Sequence, residues 1–244
     1  MTRDELARLL DHSVLKPEAT ERDILSGADV VRAWRVGFYC VQPCWVKVAA
    51  AALAGTDARV VSVVGFPHGC DHADVKARAA SIAAADGAAE IDMVMNIGAL
   101  KSGQAACVAA EIEAVVHAAP DARIKVILET AALTDDEKRL ACRLASDQGA
   151  AFVKTSTGFH PAGGATAADV RLMRAAVGTG IGVKASGGIR SLTEALAMID
   201  AGANRIGTSA SATILAELPQ KVGSDTTSPA RDREVRRGGR KSRV

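Results

Sequence analysis

AAFVKTSTGF, residues 150–159, sets a lysine at the end of a short apolar, β-prone run, just before Thr-Ser-Thr-Gly. Side chains alternate along a strand, so Phe152, Lys154 and Ser156 share one face while Val153 and Thr155 take the other. Burying an ammonium without a partner is costly, so Lys154 needs a purpose. The run is also one of a series. VGFYCVQP, RVVSVVGFP, AAEIDMVMN, IKVILET, IGVKASGG and NRIGTS read as strands of the same kind, and LLDHSVL near the start supplies an eighth.

Between these runs lie amphipathic segments with start and stop signals. Thr20 with Asp23, Thr134 with Glu137, Thr166 with Asp169 and Ser191 with Glu194 each place a cap oxygen three residues before an acid. Asp71 with Asp74 reads as a further cap. Gly87, Gly149, Gly178 and Gly202 close helices. Side-chain oxygens take the free N–H groups of the first turn, and glycine accepts the left-handed turn at the end. Strands alternating with helices imply a parallel sheet, and near-continuous apolar strands imply cover on both faces. Eight units over most of 244 residues fit a (β/α)8 TIM barrel, whose usual size is about 250 residues. A doubly wound open sheet would carry a G-x-G-x-x-G or G-x-x-x-x-G-K-[ST] turn after its first strand, and neither motif is present.

Composition agrees with one globular domain over residues 1–218. Apolar residues make up 48% of the chain, charged residues 24% and aromatic residues only 3%, so the core must be built from Ala, Val, Ile and Leu. The opening MTRDELARLLDHS has no apolar h-region, and no apolar run is long enough to span a membrane, so a cytoplasmic protein is expected. Five cysteines without framework spacing fit reduced thiols. Residues 219–244 read as a disordered basic tail, with eight Lys/Arg against three Asp/Glu after position 219. The body is then mildly acidic. Nucleic acid is not an expected partner of the barrel, although the tail could touch one. A homodimer is possible.

Alternation in the other strands repeats the pattern around Lys154. Asp92, Lys125, Glu129 and Lys184 each oppose large apolar neighbours, and Asp11 comes from the first strand. These charges should point into the barrel, toward the C-terminal mouth where barrel enzymes do chemistry. A free lysine titrates near ~10.4, so few are neutral at pH 7. Desolvation or a neighbouring cation favours the neutral amine. Of Lys154 and Lys184, one can be a nucleophile and the other the charge that activates it. A neutral lysine and a carbonyl compound form a Schiff base, whose iminium withdraws electrons so that a neighbouring C–C bond can break. Asp92, through water, can move the proton. That is class I aldolase chemistry, with no metal and no cofactor. Gly187-Gly188-Ile189-Arg190-Ser191 and Gly207-Thr208-Ser209 follow the last two strands, where backbone N–H groups can hold a phosphate.

LLDHSVLKPEAT, VVGFP, EIDMVMNIGALKSG, KVILET, FVKTSTGF, VKASGGIR and NRIGTSA, in this order, resemble the deoxyribose-phosphate aldolase family over roughly residues 5–215. The resemblance implies a (β/α)8 barrel that reversibly cleaves 2-deoxy-D-ribose 5-phosphate to D-glyceraldehyde 3-phosphate and acetaldehyde in deoxynucleoside catabolism. It implies that Lys154 is the Schiff-base residue, Lys184 its perturbing partner and Asp92 the proton-transfer residue. Asp11, Lys125, Thr155, Gly158, Gly187, Gly188, Gly207 and Ser209 fall on substrate-binding positions. The chain also departs from the family pattern. Phe159 stands where some members carry a phosphate-holding lysine, Gln42 where asparagine is usual, and Tyr39 is the sole tyrosine, so no C-terminal tyrosine reaches the site.

Two other readings remain. His68, Cys70 and His72 have metal-ligand chemistry without a zinc spacing, and would suit a zinc-dependent aldolase. A catalytically inert barrel whose tail binds nucleic acid is the other. Cys40 reads as a small core residue near the mouth.

Overall fold

A computed structural model describes residues 1–219. The expected disordered tail lies outside the described residues, apart from Pro219. The strands are β1 (Leu10–Val14), β2 (Phe38–Val41), β3 (Arg59–Val64), β4 (Glu90–Val94), β5 (Arg123–Ile127), β6 (Phe152–Lys154), β7 (Gly182–Ser186) and β8 (Arg205–Thr208). They pair in sequence order, all parallel, and β8 closes onto β1. The (β/α)8 barrel is therefore the fold.

The helices are α1 (Arg3–Leu9), α2 (Glu21–Trp34), α3 (Val46–Ala52), α4 (Ala73–Ala85), α5 (Ile97–Lys101), α6 (Ala105–Ala118), α7 (Asp135–Asp147), α8 (Ala167–Val177), α9 (Leu192–Asp200) and α10 (Ser211–Ala216). Thr20, Thr134 and Ser191 form full capping boxes with Asp23, Glu137 and Glu194, and Thr166 caps α8 through the Asp169 N–H. The expected cap at Asp71 is absent. His72 is the N-cap residue of α4, and its side chain makes no capping bond. Asp71 stays exposed on the bend before it. A capping box at Thr2 and Glu5 starts α1, which ends where β1 begins, so Leu9 is helical rather than part of the first strand.

The main apolar core lies between barrel and helices. Outward strand residues such as Leu10, Tyr39, Ile91, Met93, Val126, Val153, Val183 and Ile206 are fully buried against Ile24, Val31, Val108, Ile112, Met173 and Leu215 of the helices. Tyr39 ends there too. Its hydroxyl donates to the Ile24 carbonyl at 2.7 Å, under α2 and away from the barrel interior. The interior is divided. Cys40, Val61 and Val63 of β2 and β3, with Phe38 packed on them, form an apolar wall. The remaining strands turn charges inward. With apolar packing delegated to the outer layer, the barrel axis is left for ions.

Candidate active site

Lys154 and Lys184 are register partners on β6 and β7, so both side chains enter the barrel side by side. Each ammonium donates to the same carboxylate oxygen, Asp92 Oδ2, at 2.7 Å. Lys184 also donates to Asp11 in a very short contact. Lys125, the register partner of Asp92, donates to the other oxygen, Asp92 Oδ1, at 2.7 Å. Below it, Lys125 meets Glu90 Oε2 at 2.7 Å, and Arg205 grips Glu90 with two guanidinium nitrogens at 2.7 and 3.4 Å. The result is a ladder of alternating charge from the mouth to the floor. It holds four cations (Lys154, Lys184, Lys125, Arg205) and three carboxylates (Asp11, Asp92, Glu90).

The ladder sets protonation. Burial alone would raise the Asp92 carboxyl, but the ammonium groups of Lys125, Lys154 and Lys184 outweigh it and hold it well below the ordinary range. Burial works against the charge on Lys184, yet the carboxylates of Asp11 and Asp92 prevail and hold that ammonium above the ordinary lysine value. Lys184 touches two carboxylates. Lys154, among the described residues, touches one.

Above the ladder opens a cavity of about 690 Å³ at the C-terminal mouth, lined by Lys154 and Lys184 together with Asp11, Gly158, Gly187, Gly188, Gly207 and Ser209. Lys16, His12, Phe159, Ser186 and Arg190 also line it. The volume suits a small sugar phosphate. Asp92 lies just beneath, fully buried. Two expected substrate contacts do not reach the cavity. Lys125 is fully buried between Asp92 and Glu90. Thr155 turns away and stitches β6 to β7, its hydroxyl donating to the Ser186 carbonyl at 3.1 Å and accepting the Ser186 N–H at 3.0 Å. Glu129 is not on a strand. It follows β5 at φ +58°, in the left-handed region, and its carboxylate accepts the Thr157 N–H at 3.2 Å and hydroxyl at 2.5 Å. It fastens the loop that carries Gly158 and Phe159.

The glycine turns have steric reasons. Gly187 takes φ +89° and lies so close to Gly164 that a Cβ on Gly164 would sit 2.2 Å from the Gly187 carbonyl oxygen. A Cβ on Gly207 would sit 3.0 Å from Lys184 Cε and 2.9 Å from Ser186 Cβ, so Gly207 makes room for the lysine. The first turn of α9 is already supplied with negative charge. Glu194 accepts the N–H groups of Arg190 and Ser191 at 2.7 and 3.0 Å. The glycine turns and the Lys16 and Arg190 side chains also border the cavity. Opposite, Phe159 packs edge-on against Phe66 at 5.3 Å and forms an apolar lip.

Burial, with the charges of Asp11 and Asp92 adding to it, pushes the Cys40 thiol up to about 12, so it is a neutral packing group on the apolar wall. Burial lowers the His12 imidazole below its ordinary value against the pull of the Asp11 charge, and the ring shares a hydrogen bond with Ser211 at 3.1 Å. His68, Cys70 and His72 do not converge, and no three His, Cys, Asp or Glu side chains among the described residues are placed to hold one metal ion. No helix among the described residues is long and apolar enough to cross a membrane. Glu90 and Arg205 were not in the sequence-based set, although each lies two residues before an inward position on its strand.

Residues 11–215 match the model of the DeoC/LacD family aldolases. A deoxyribose-phosphate aldolase of Enterococcus faecalis is 53% identical over 212 residues, covering 86% of this chain and 96% of that protein. Deoxyribose-phosphate aldolase 1 of Bacillus licheniformis is 51% identical over 215 residues, covering 88% and 96%. The structure of the deoxyribose phosphate aldolase from Aeropyrum pernix, described as a unique tetramer, superposes with a TM-score of 0.83 at 30% identity, covering 88% of this chain and 92% of that one. A closed eight-stranded barrel, a cavity with paired lysines at its mouth and a match over nearly all of the described residues agree: the chain belongs to the DeoC/LacD family of aldolases.

Proposed function

We propose that this lyase reversibly cleaves 2-deoxy-D-ribose 5-phosphate to D-glyceraldehyde 3-phosphate and acetaldehyde, with Lys154 as the Schiff-base amine. The observation that carries the reading is the sharing of one oxygen, Asp92 Oδ2, by two lysines with unequal further support. The ladder has one cation more than it has carboxylates. Arg205 does not give up a proton, and Lys125 and Lys184 each touch two carboxylates. Lys154 touches one, so of the three lysines its ammonium is the least supported. The fixed ammonium of Lys184 favours the neutral amine beside it.

The steps follow from that arrangement. Lys154 Nζ attacks the aldehyde carbon C1 of the open-chain sugar, and loss of water from the carbinolamine leaves an iminium. A base takes the proton of the C3 hydroxyl, the C2–C3 bond breaks toward the iminium, and glyceraldehyde 3-phosphate departs. The remaining enamine takes a proton at C2, and water releases acetaldehyde and restores the amine. Asp92 is the carboxylate within reach of Lys154, and a water between it and the substrate would carry the proton. Gly187, Gly188, Gly207 and Ser209 would hold the phosphate end. Asp11 Oδ1, which has no hydrogen-bond partner among the described residues, would accept from a substrate hydroxyl. Lys125 and Thr155 act from behind the cavity as supports. This reading places the enzyme in the cytoplasm, acting on a small phosphorylated sugar, with neither nucleic acid nor membrane required.

Borohydride trapping tests it. The protein is mixed with acetaldehyde or deoxyribose 5-phosphate in EDTA, reduced, digested and mapped by mass spectrometry. The expected adduct is on Lys154. An adduct on Lys184 would reverse the two roles. No adduct together with EDTA-sensitive cleavage would sink the Schiff-base reading.

A further inference from the structure

We infer that Glu90 and Arg205, at the barrel floor, are positioning residues that set how readily Lys154 gives up its proton, acting through Lys125 and Asp92. The inference rests on Lys154 being the reacting amine. Neither residue lines the cavity, and both are buried. The links are continuous: Arg205 to Glu90 at 2.7 Å, Glu90 to Lys125 at 2.7 Å, Lys125 to Asp92 at 2.7 Å and Asp92 to Lys154 at 2.7 Å. The Arg205 guanidinium carbon lies over Phe38, 3.3 Å from its ring centroid.

A barrel floor does not need ions. Apolar residues of similar volume fill such a space at equal or lower free energy, because burying a charged pair costs its hydration. What the pair supplies is electrostatic. Glu90 is faced by Lys125 and Arg123 of β5 and by Arg205 of β8, with Arg123 at 3.7 Å and half exposed. Lys154 is faced by Asp92 of β4 and Lys184 of β7, with Asp11 of β1 behind Lys184 and the neutral Cys40 of β2 across the interior. Removing the Glu90 charge leaves four cations against two carboxylates, which favours loss of the Lys154 proton. Removing the Arg205 charge leaves three against three with Lys154 still charged, which favours its retention. The two substitutions therefore act in opposite directions. Unit charges roughly 10 Å apart, at an effective dielectric of about 20, displace a titration by about one pH unit.

The test is the pH dependence of borohydride-trapped adduct at Lys154, with initial cleavage rates alongside, for the full-length enzyme and for Glu90→Gln, Arg205→Gln and Arg205→Lys. Glu90→Gln is expected to move the acid limb to lower pH by about one unit, and Arg205→Gln to move it to higher pH. Arg205→Lys, which keeps the charge, is expected to keep the parent limb. Limbs that superpose, or that move the same way in both neutral variants, overturn the inference, since a loosened barrel would lower the amplitude without opposite displacements. If one neutral variant does not fold, the sign of the shift in the other decides. If neither folds, the limb of Arg205→Lys decides, and a displaced limb overturns the inference. An absence of adduct at Lys154 in the parent enzyme would instead refute the function proposed above.

Discussion

Asp92→Asn removes the charge at the centre of the ladder, and the geometry fixes what should follow. Asp92 accepts from Lys125, Lys154 and Lys184 at 2.7 Å each. The substitution leaves four buried cations facing Asp11 and Glu90 alone. Breaking a buried ion pair from one side costs about 3–5 kcal/mol, against a total of about 5–15 kcal/mol for an ordinary domain, so the variant should fold but with little margin at pH 7. The deficit should depend on pH with a definite sign. Uncompensated lysines in the folded variant release protons below the unfolded lysine value of ~10.4, so the unfolded chain binds more protons and stability rises with pH. One such proton restores about 1.4 kcal/mol per pH unit, so the deficit should shrink by up to about 3 kcal/mol between pH 7 and pH 9. At the acid end the parent loses its own advantage. Asp92, held below its ordinary range, contributes stability that is present above ~3.9 and is lost as pH falls through the lower folded value. Urea unfolding followed by circular dichroism at pH 7 and pH 9 measures the difference. A deficit that is equal at both pH values would refute the charge-balance reasoning. Cleavage activity should fall about 100- to 10,000-fold, the range for losing a positioned proton-transfer group.

The two lysines should separate stability from activity. Lys154→Met removes the uncompensated cation, so adduct formation and cleavage should vanish while the melting temperature holds or rises. Lys184→Met takes from Asp11 its ion-pair partner among the described residues and should cost about 3–5 kcal/mol, readable by thermal denaturation, as well as activity in a cleavage assay. Gly207→Ala places a Cβ 3.0 Å from Lys184 Cε, so the lysine must shift. Overpacking of this kind costs about 1–3 kcal/mol, and kcat should fall more than KM rises. Phe159→Lys puts a cation on the apolar lip at the cavity mouth. KM for the phosphorylated sugar should drop a few-fold, consistent with about 0.5–1 kcal/mol for an exposed ion pair, and the gain should disappear at high salt with kcat unchanged.

Much of this is legible in the sequence. Capping boxes at Thr20, Thr134 and Ser191 are local chemistry and appear where their spacing predicts. Strand alternation around Lys154 and Lys184 is local too, and the parallel closure then brings them together. What was not legible depends on the third dimension. Asp71 and Asp74 have cap spacing, but α4 begins at Ala73, so His72 rather than Asp71 stands at the N-cap position. Lys125 obeys the same alternation as Lys154, and alternation says that both point inward. It does not say at what height. Lys125 pairs in register with Asp92, whereas Lys154 pairs with Ile127, two residues further along β5, and that difference puts one lysine under the carboxylate and the other above it. Thr155 stays off the cavity lining for a different reason. Its strand ends at Lys154, and the hydroxyl found an internal partner in Ser186.

Register explains one more feature that spacing left open, namely which lysine is less supported. Asp11 is in register with Gly207 of β8, and the absent side chain of that glycine lets Lys184 swing toward β1 and reach Asp11. Lys154, one strand further from β1, has no such gap beside it, and its only carboxylate among the described residues is Asp92. The asymmetry between two chemically identical side chains thus comes from a missing Cβ on the strand next to Lys184. It follows that Gly207 belongs to the charge balance as well as to the glycine turn. A substitution there that filled the gap would press Lys184 away from Asp11, make the two lysines more alike, and blunt the preference proposed for attack by Lys154.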